Sequence, residues 1–250
     1  VTGTIPLSTT LDTVCALTRS VRDAILVHEI LATRRVTRST APLAAWRLAI
    51  TPTVMQDGLD PVVSRAYERS LHTLRQAGAR IEEIPRAGAG WRWRAQARGS
   101  SSPAGCAPGH RHLLNARWAW EDPRGLARLM GGSSMSAADD IELLRSRSDW
   151  IRRMEAALQG FDAVLSPTVP IIAPPIADLA PGAQRDDAFF KVNAALLRNP
   201  SVVNMLDGCA ISIPCQAADE PPVSLMIWQG KMRDDAVLNI ALLIENLLQT

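Results

Sequence analysis

RLAITPTVMQDGLDPVVSRAYERSLHTLRQAGARIEEI, residues 47–84, is the stretch that decides the fold class. Residues 47–51 read as a short apolar strand. Asp60 then stands as an N-cap, and Pro61 takes the first helical position, where its missing N–H costs nothing. Val63, Ala66, Tyr67, Leu71, Leu74 and Ala77 follow on one face, and Gly78 supplies the stop. Residues 79–84 read as a second strand. Strand, helix and strand with short joins are the grammar of an α/β sheet.

The same patterning extends outward in both directions. Upstream, an amphipathic helix is predicted over 17–31, with Leu17, Val21, Ala24, Ile25, His28 and Leu31 on its inner stripe and Arg19, Arg22, Asp23 and Glu29 facing away. Downstream, Ser136 opens a long helix with Asp139 completing a capping box and Ile141, Leu144, Ile151, Met154 and Leu158 as its apolar stripe. Gly160 ends it. Residues 161–166 read as a buried strand, followed by a loop stiffened by Pro167, Pro170, Pro174 and Pro175. A helix over 187–198, apolar strands over 210–213 and 223–228, and a closing helix over 234–248 complete the pattern. The inner face of that last helix is Val237, Ile240, Ala241, Ile244 and Leu248.

Residues 86–120 break this texture. They hold four of the seven tryptophans and six arginines, no acidic residue, and no period of 2 or 3.6. One account is a surface insert that binds nucleic acid through Trp91, Trp93, Arg92, Arg94 and Arg98. The favoured account is an aberrant, frame-shifted segment, because shifted GC-rich DNA encodes Arg, Gly, Ala, Pro, His and Trp without a folding pattern. A structureless stretch of this length is foreign to a compact domain.

Composition narrows the function classes. At 250 residues and 47% apolar content the chain can bury a sizeable core, and a net charge of +2 provides no field that draws it to nucleic acid or anionic lipid. No uncharged apolar run reaches the roughly 18–20 residues of a membrane span, and residues 1–10 lack the basic and apolar regions of a leader. The expectation is a soluble cytoplasmic protein without membrane partners. Cys15, Cys106, Cys209 and Cys215 form no CxxC pair and read as reduced thiols. Lysine occurs only at Lys191 and Lys231.

Three segments resemble the amidase signature family. The first is Gly3-Thr4-Ile5-Pro6-Leu7-Ser8-Thr9-Thr10-Leu11-Asp12-Thr13 with Leu17-Thr18-Arg19-Ser20-Val21-Arg22-Asp23-Ala24, similar to the segment shortly after that family's catalytic serine region. The second, Phe161-Asp162-Ala163-Val164-Leu165-Ser166-Pro167-Thr168-Val169-Pro170, resembles its late strand and proline loop. The third combines Asn204, Gly208, Ile213 and Pro214 with the closing strand and helix. The resemblance implies the C-terminal part of an amidase-signature α/β fold, a mixed sheet flanked by helices, with residues 1–250 as a single incomplete domain.

It also implies a chemistry. Such enzymes cleave or transfer amides with a serine nucleophile, a second serine and a lysine beside a backbone oxyanion hole, because amide resonance demands an activated hydroxyl and donors aimed at the developing charge. By the same resemblance these groups belong upstream of Gly3. No catalytic residue is therefore expected in this chain, and loss of such a unit costs on the order of 10⁶ in kcat. The candidates left for the substrate wall are Asp12, Thr13, Thr168 and Asn204. Asp12 and Thr13 read equally as a turn leading into the helix, and Thr168 and Asn204 as polar groups that a proline loop and a helix end need in any case.

Other constellations read as structural. Gly131-Gly132-Ser133-Ser134 precedes a helix that needs Ser136 as its cap, so it reads as a helix-entry loop. Lys191 and Lys231 have no serine-rich partner segment, and His28 reads as a packed helix residue. Cys106, His110 and His112 fit no standard zinc spacing, so neither metal nor cofactor is expected. The expected function is hydrolysis of a small-molecule carboxylic amide in the complete enzyme. The alternatives are a non-catalytic binding protein using the Arg/Trp segment and the A-type subunit of an aminoacyl-tRNA amidotransferase.

Overall fold

The computed structural model describes residues 8, 10–52, 54–84, 124, 136–180 and 183–248. Strands β1 (Arg47–Ile50), β2 (Arg80–Glu83), β3 (Ala163–Pro167), β4 (Cys209–Pro214) and β5 (Ser224–Gln229) form one sheet in the order β2-β1-β3-β5-β4. β1 runs parallel to β2 and β3, whereas β5 runs antiparallel to β3 and β4. Helices α1 (Val21–Ala32), α2 (Pro61–Gln76), α3 (Ala137–Leu158), α4 (Ala183–Met205) and α5 (Asp234–Leu248) flank it. The sheet is mixed and helix-flanked, as the family resemblance implied.

Side-chain alternation along the strands sends successive residues into two cores. Leu48, Ala163, Leu165, Leu225 and Ile227 pack against Val21 and Ile25 of α1, the apolar face of α2, and Val237, Ile240, Ala241 and Ile244 of α5. Ala49, Val164, Met226 and Trp228 face the other way, against Trp150, Met154 and Leu158 of α3 and Val202, Val203 and Met205 of α4. β3 is buried along its whole length, which explains its continuous apolar run. Tyr67 of α2 fixes one layer by donating to the Leu165 carbonyl at 3.0 Å, and burial pushes its phenol pKa up.

The helix signals differ in how well they survive. α2 has the expected Asp60 cap, whose carboxylate accepts from Val62 N at 2.8 Å, and Ser136 and Asp139 form the expected capping box on α3. α5 spans the expected residues. α1, however, begins at Val21, because Ser20 takes the N-cap and Glu245 of α5 also accepts from Val21 N at 2.8 Å. Leu17 consequently lies outside the helix and is fully exposed, and Leu31 is exposed as well.

The stripe on α3 is also rotated from the expected one. Ile141 and Leu144 are exposed, while Arg147, Trp150, Met154 and Leu158 are buried. Arg147 is tolerated there because its guanidinium donates to the Met205 carbonyl at 3.0 Å and pairs with Asp207. α4 is longer than the predicted 187–198 and continues through Pro200. Residues 86–120, with Cys106, His110 and His112, and residues 131–134 lie outside the described residues.

Candidate functional site

α4 is the scaffold on which the candidate residues converge. Close to its C-terminal end, Asn204 donates from Nδ2 to the Leu11 carbonyl at 2.8 Å. Leu11 belongs to a turn in which Asp12 N donates to the Ser8 carbonyl at 3.0 Å and the Asp12 carboxylate accepts from Ser8 N at 2.8 Å. Asp12 and Asn204 are thus brought to one place from distant parts of the sequence. Thr13, the next residue, is exposed.

Earlier on α4, Asn199 is wholly buried and donates to two carbonyls, Met55 at 3.0 Å and Pro167 at 2.8 Å. Arg198 beside it donates to the Asp57 carbonyl at 2.6 Å. These bonds fix the loop after β1 and the end of β3 to the helix. Thr168 begins the proline loop immediately beyond the clamped Pro167. Its N–H donates to the Ser224 carbonyl at 3.0 Å, and its Oγ1 donates to Ser212 Oγ of β4 at 2.9 Å. Asn199 and Asn204 are five residues apart, about 7.5 Å along a helix axis. One rigid element therefore holds both the turn carrying Asp12 and the loop carrying Thr168.

Asn199 and Ser212 were missed in the sequence. A signal existed for the first, an amide side chain just before an in-helix proline. Ser212 offered only a polar residue within an apolar strand, and its meeting with Thr168 depends on strand register.

Several other polar groups are committed elsewhere. Ser20 and Ser136 cap helices, Ser70 and Ser148 bond back to carbonyls one turn earlier, and Ser166 Oγ accepts from Trp228 Nε1 at 3.2 Å. Among the described residues, Ser8 Oγ is buried without a partner, and so is His28 Nε2. Burial pushes the Cys209 thiol up to about 12 and raises that of Cys215, so neither is an activated nucleophile. No group of three or more ligating side chains that could hold a metal occurs among the described residues, and none of their helices is long and apolar enough to cross a membrane.

No family model matches the chain. In sequence it is 27% identical over 255 residues to 2-amino-5-chloromuconic acid deaminase of Comamonas testosteroni, covering 99% of this chain and 54% of the relative. It is 25% identical over 292 residues to the A-type subunit of glutamyl-tRNA(Gln) amidotransferase from Salinispora tropica, covering 98% and 57%. The chain thus spans about half the length of the curated relatives it matches. In structure it is similar to a crystallised amidase, with a TM-score of 0.79 at 24% identity over 98% of this chain and 55% of that one. A substrate complex of 6-aminohexanoate cyclic dimer hydrolase gives 0.71 at 18% identity, over 93% and 54%. At these identities the structural likeness shows the fold alone. Sequence relatives along nearly the whole chain and a shared α/β architecture together make the chain similar to amidase-signature proteins.

Proposed function

We propose that this chain forms the substrate wall of a serine-dependent amidase that hydrolyses a small carboxylic amide. The turn bearing Asp12 and Thr13, anchored by Asn204, and the proline loop bearing Thr168 line the amide. The activated serine, its partner serine and the lysine come from outside the described residues. The observation that carries this reading is the match to a deaminase and to amidotransferase A-type subunits along almost the entire chain. It is supported by the commitment of Ser20, Ser70, Ser136, Ser148 and Ser166 to caps, helix carbonyls and a core indole. Neither Lys191 nor Lys231 hydrogen-bonds any of them. We take residues 86–120 as shifted-frame sequence, which the parent nucleotide sequence tests.

The experiment is ammonia release from simple carboxamides, measured for this chain alone and for the chain preceded by the upstream half of an amidase-signature relative. Turnover is expected only in the joined form, and it should disappear when the serine of the added Gly-Ser-rich segment is replaced. Hydrolysis by the isolated chain that a single internal serine substitution abolishes would overturn the proposal. A second reading follows from the amidotransferase A-type subunits among the relatives. It predicts that turnover needs partner subunits together with a charged tRNA, so ammonia release by the joined chain alone excludes it.

A further inference from the structure

Ser212 and Thr168 stand out from the other hydroxyls because their mutual bond is not a cap, a helix bond or a core contact. Ser212 projects from the exposed side of β4, with Ala210 and Pro214 as its exposed neighbours on the same strand face. Thr168 lies across the sheet from it, and its own N–H is already committed to Ser224. Two residues earlier, Ser166 points to the same face but is fully buried and bonded to Trp228. The hydroxyls of half-buried Thr168 and exposed Ser212 are therefore the outer remainder of a polar row whose inner member is taken up by the core.

The hydrogen-bond inventory of this pair is asymmetric. Two hydroxyls own two hydrogens and four lone pairs, and the single bond between them uses one of each. One hydrogen and three lone pairs remain on oxygens 2.9 Å apart, whichever hydroxyl donates internally. Because one oxygen accepts from the other, the remaining O–H is polarised into a better donor. The two segments that carry the pair hold no charge of their own, since residues 209–214 and 167–177 contain no Asp, Glu, Lys or Arg.

A carboxamide matches that inventory. Its oxygen accepts the free O–H while its N–H donates to the neighbouring oxygen, and the two atoms are about 2.2 Å apart from standard C=O and C–N lengths. A carboxylate does not match. It has two acceptors, so one oxygen would face lone pairs, with no cation supplied by these segments to offset its charge. We propose that Thr168 and Ser212 form a hydroxyl pair that holds a neutral carboxamide and discriminates against the corresponding carboxylate. For an amide hydrolase this would favour substrate over its acid product. The inference rests on the amide-wall reading above and adds to it the residues and the selectivity.

The test is a titration of the ¹⁵N-labelled full chain with propionamide and, separately, with propionate. Propionamide should shift the amides of Thr168, Ser212 and Ser224 saturably, and propionate should leave them in place. Thr168→Val and Ser212→Ala should each weaken propionamide binding roughly 2- to 12-fold, the range of one ordinary hydrogen bond. Ser212→Thr, which keeps the hydroxyl, should retain it. Equal response to propionate, or unchanged binding in both variants, overturns the hydroxyl pair while leaving an amide wall in place. Absence of any saturable carboxamide response overturns the pair and the wall together.

Discussion

Gly208→Ala is the substitution to which the described fold should be most sensitive for its size. Gly208 joins α4 to β4, its N–H donating to the Val203 carbonyl at 2.9 Å. A Cβ there would sit 2.5 Å from the Gln229 carbonyl oxygen, 3.0 Å from Val203 Cγ1 and 3.2 Å from the Val203 carbonyl oxygen. The nearest neighbour is backbone at the end of β5, and Gln229 cannot swing aside. Its side chain is buried, donating to the Phe161 carbonyl and accepting from Gly230 N, both at 2.8 Å. Overpacking of a fitted core costs about 1–3 kcal/mol, and a clash with fixed backbone belongs at the upper end. At about 2–4 °C per kcal/mol for a chain of this size, about 3 kcal/mol lowers the melting temperature by about 6–12 °C. Gly58→Ala is the control, because Gly58 has a positive φ, 56°, which Gly208 does not, and nothing lies within 4 Å of its would-be Cβ. It should cost only the left-handed backbone term, about 1–2 kcal/mol. Thermal unfolding of the two variants side by side decides the matter. If Gly208→Ala melts at or above Gly58→Ala, the close approach of α4, β4 and β5 is wrong.

Four further outcomes follow from the same structure. Asn199→Ala strips the donor from two carbonyls, Met55 and Pro167, and should cost about 1–3 kcal/mol in chemical denaturation; an effect within error refutes the clamp. The Arg69 hydrogen bond lowers the Glu220 carboxyl to about 2, so the stability it adds is fully present above about 4.5 and is lost as pH falls towards 2. Glu220→Gln should therefore differ from the parent at pH 6 and converge with it near pH 2, and a gap that widens on acidification reverses the sign of the argument. In a Cys106→Ser background, exposed Cys15 should react with a thiol reagent at once, while Cys209 and Cys215 wait for unfolding; three equal rates contradict their burial. The uncharged edge strand β4 should make the isolated chain self-associate in light scattering, and Ala210→Lys should suppress it; a monodisperse monomer at every concentration argues against an open edge.

What the sequence revealed depended on whether the deciding partner was local. Asp60, Pro61 and Gly78 punctuate α2 within one segment, so its limits and buried face were readable. α5 was equally plain, with Asp234 and Asp235 ahead of an apolar run. The rotated face of α3 was not readable, because burying Arg147 requires the Met205 carbonyl and Asp207, 58 and 60 positions away. The length of α4 was hidden for a related reason. Pro200 argues for a break by local rules, yet Arg198 and Asn199, within the turn that loses its bond, tie the helix to the loop after β1 and the end of β3. Asp12, Thr13, Thr168 and Asn204 were found through family resemblance and not through periodicity. Nothing in local pattern joins Asp12 to Asn204 or Thr168 to Ser212.

The two edges of the sheet put stability and proposed chemistry on the same strand. β2 carries Arg80, Glu82 and Glu83, and Arg47 of β1 reaches Glu82 at 3.2 Å, so that edge is guarded by charge in the way edge strands ordinarily are. β4 has no charge in six residues, and its exposed side shows Ala210, Ser212 and Pro214. A lysine there would protect the edge at little structural cost. It would also place a cation beside the hydroxyls of Ser212 and Thr168, where it would attract carboxylate in preference to amide. If the hydroxyl pair selects a neutral ligand, the absence of charge on β4 is a requirement of that selection, and susceptibility to association is its consequence. Ala210→Lys separates the two: it should improve solubility while raising propionate affinity relative to propionamide.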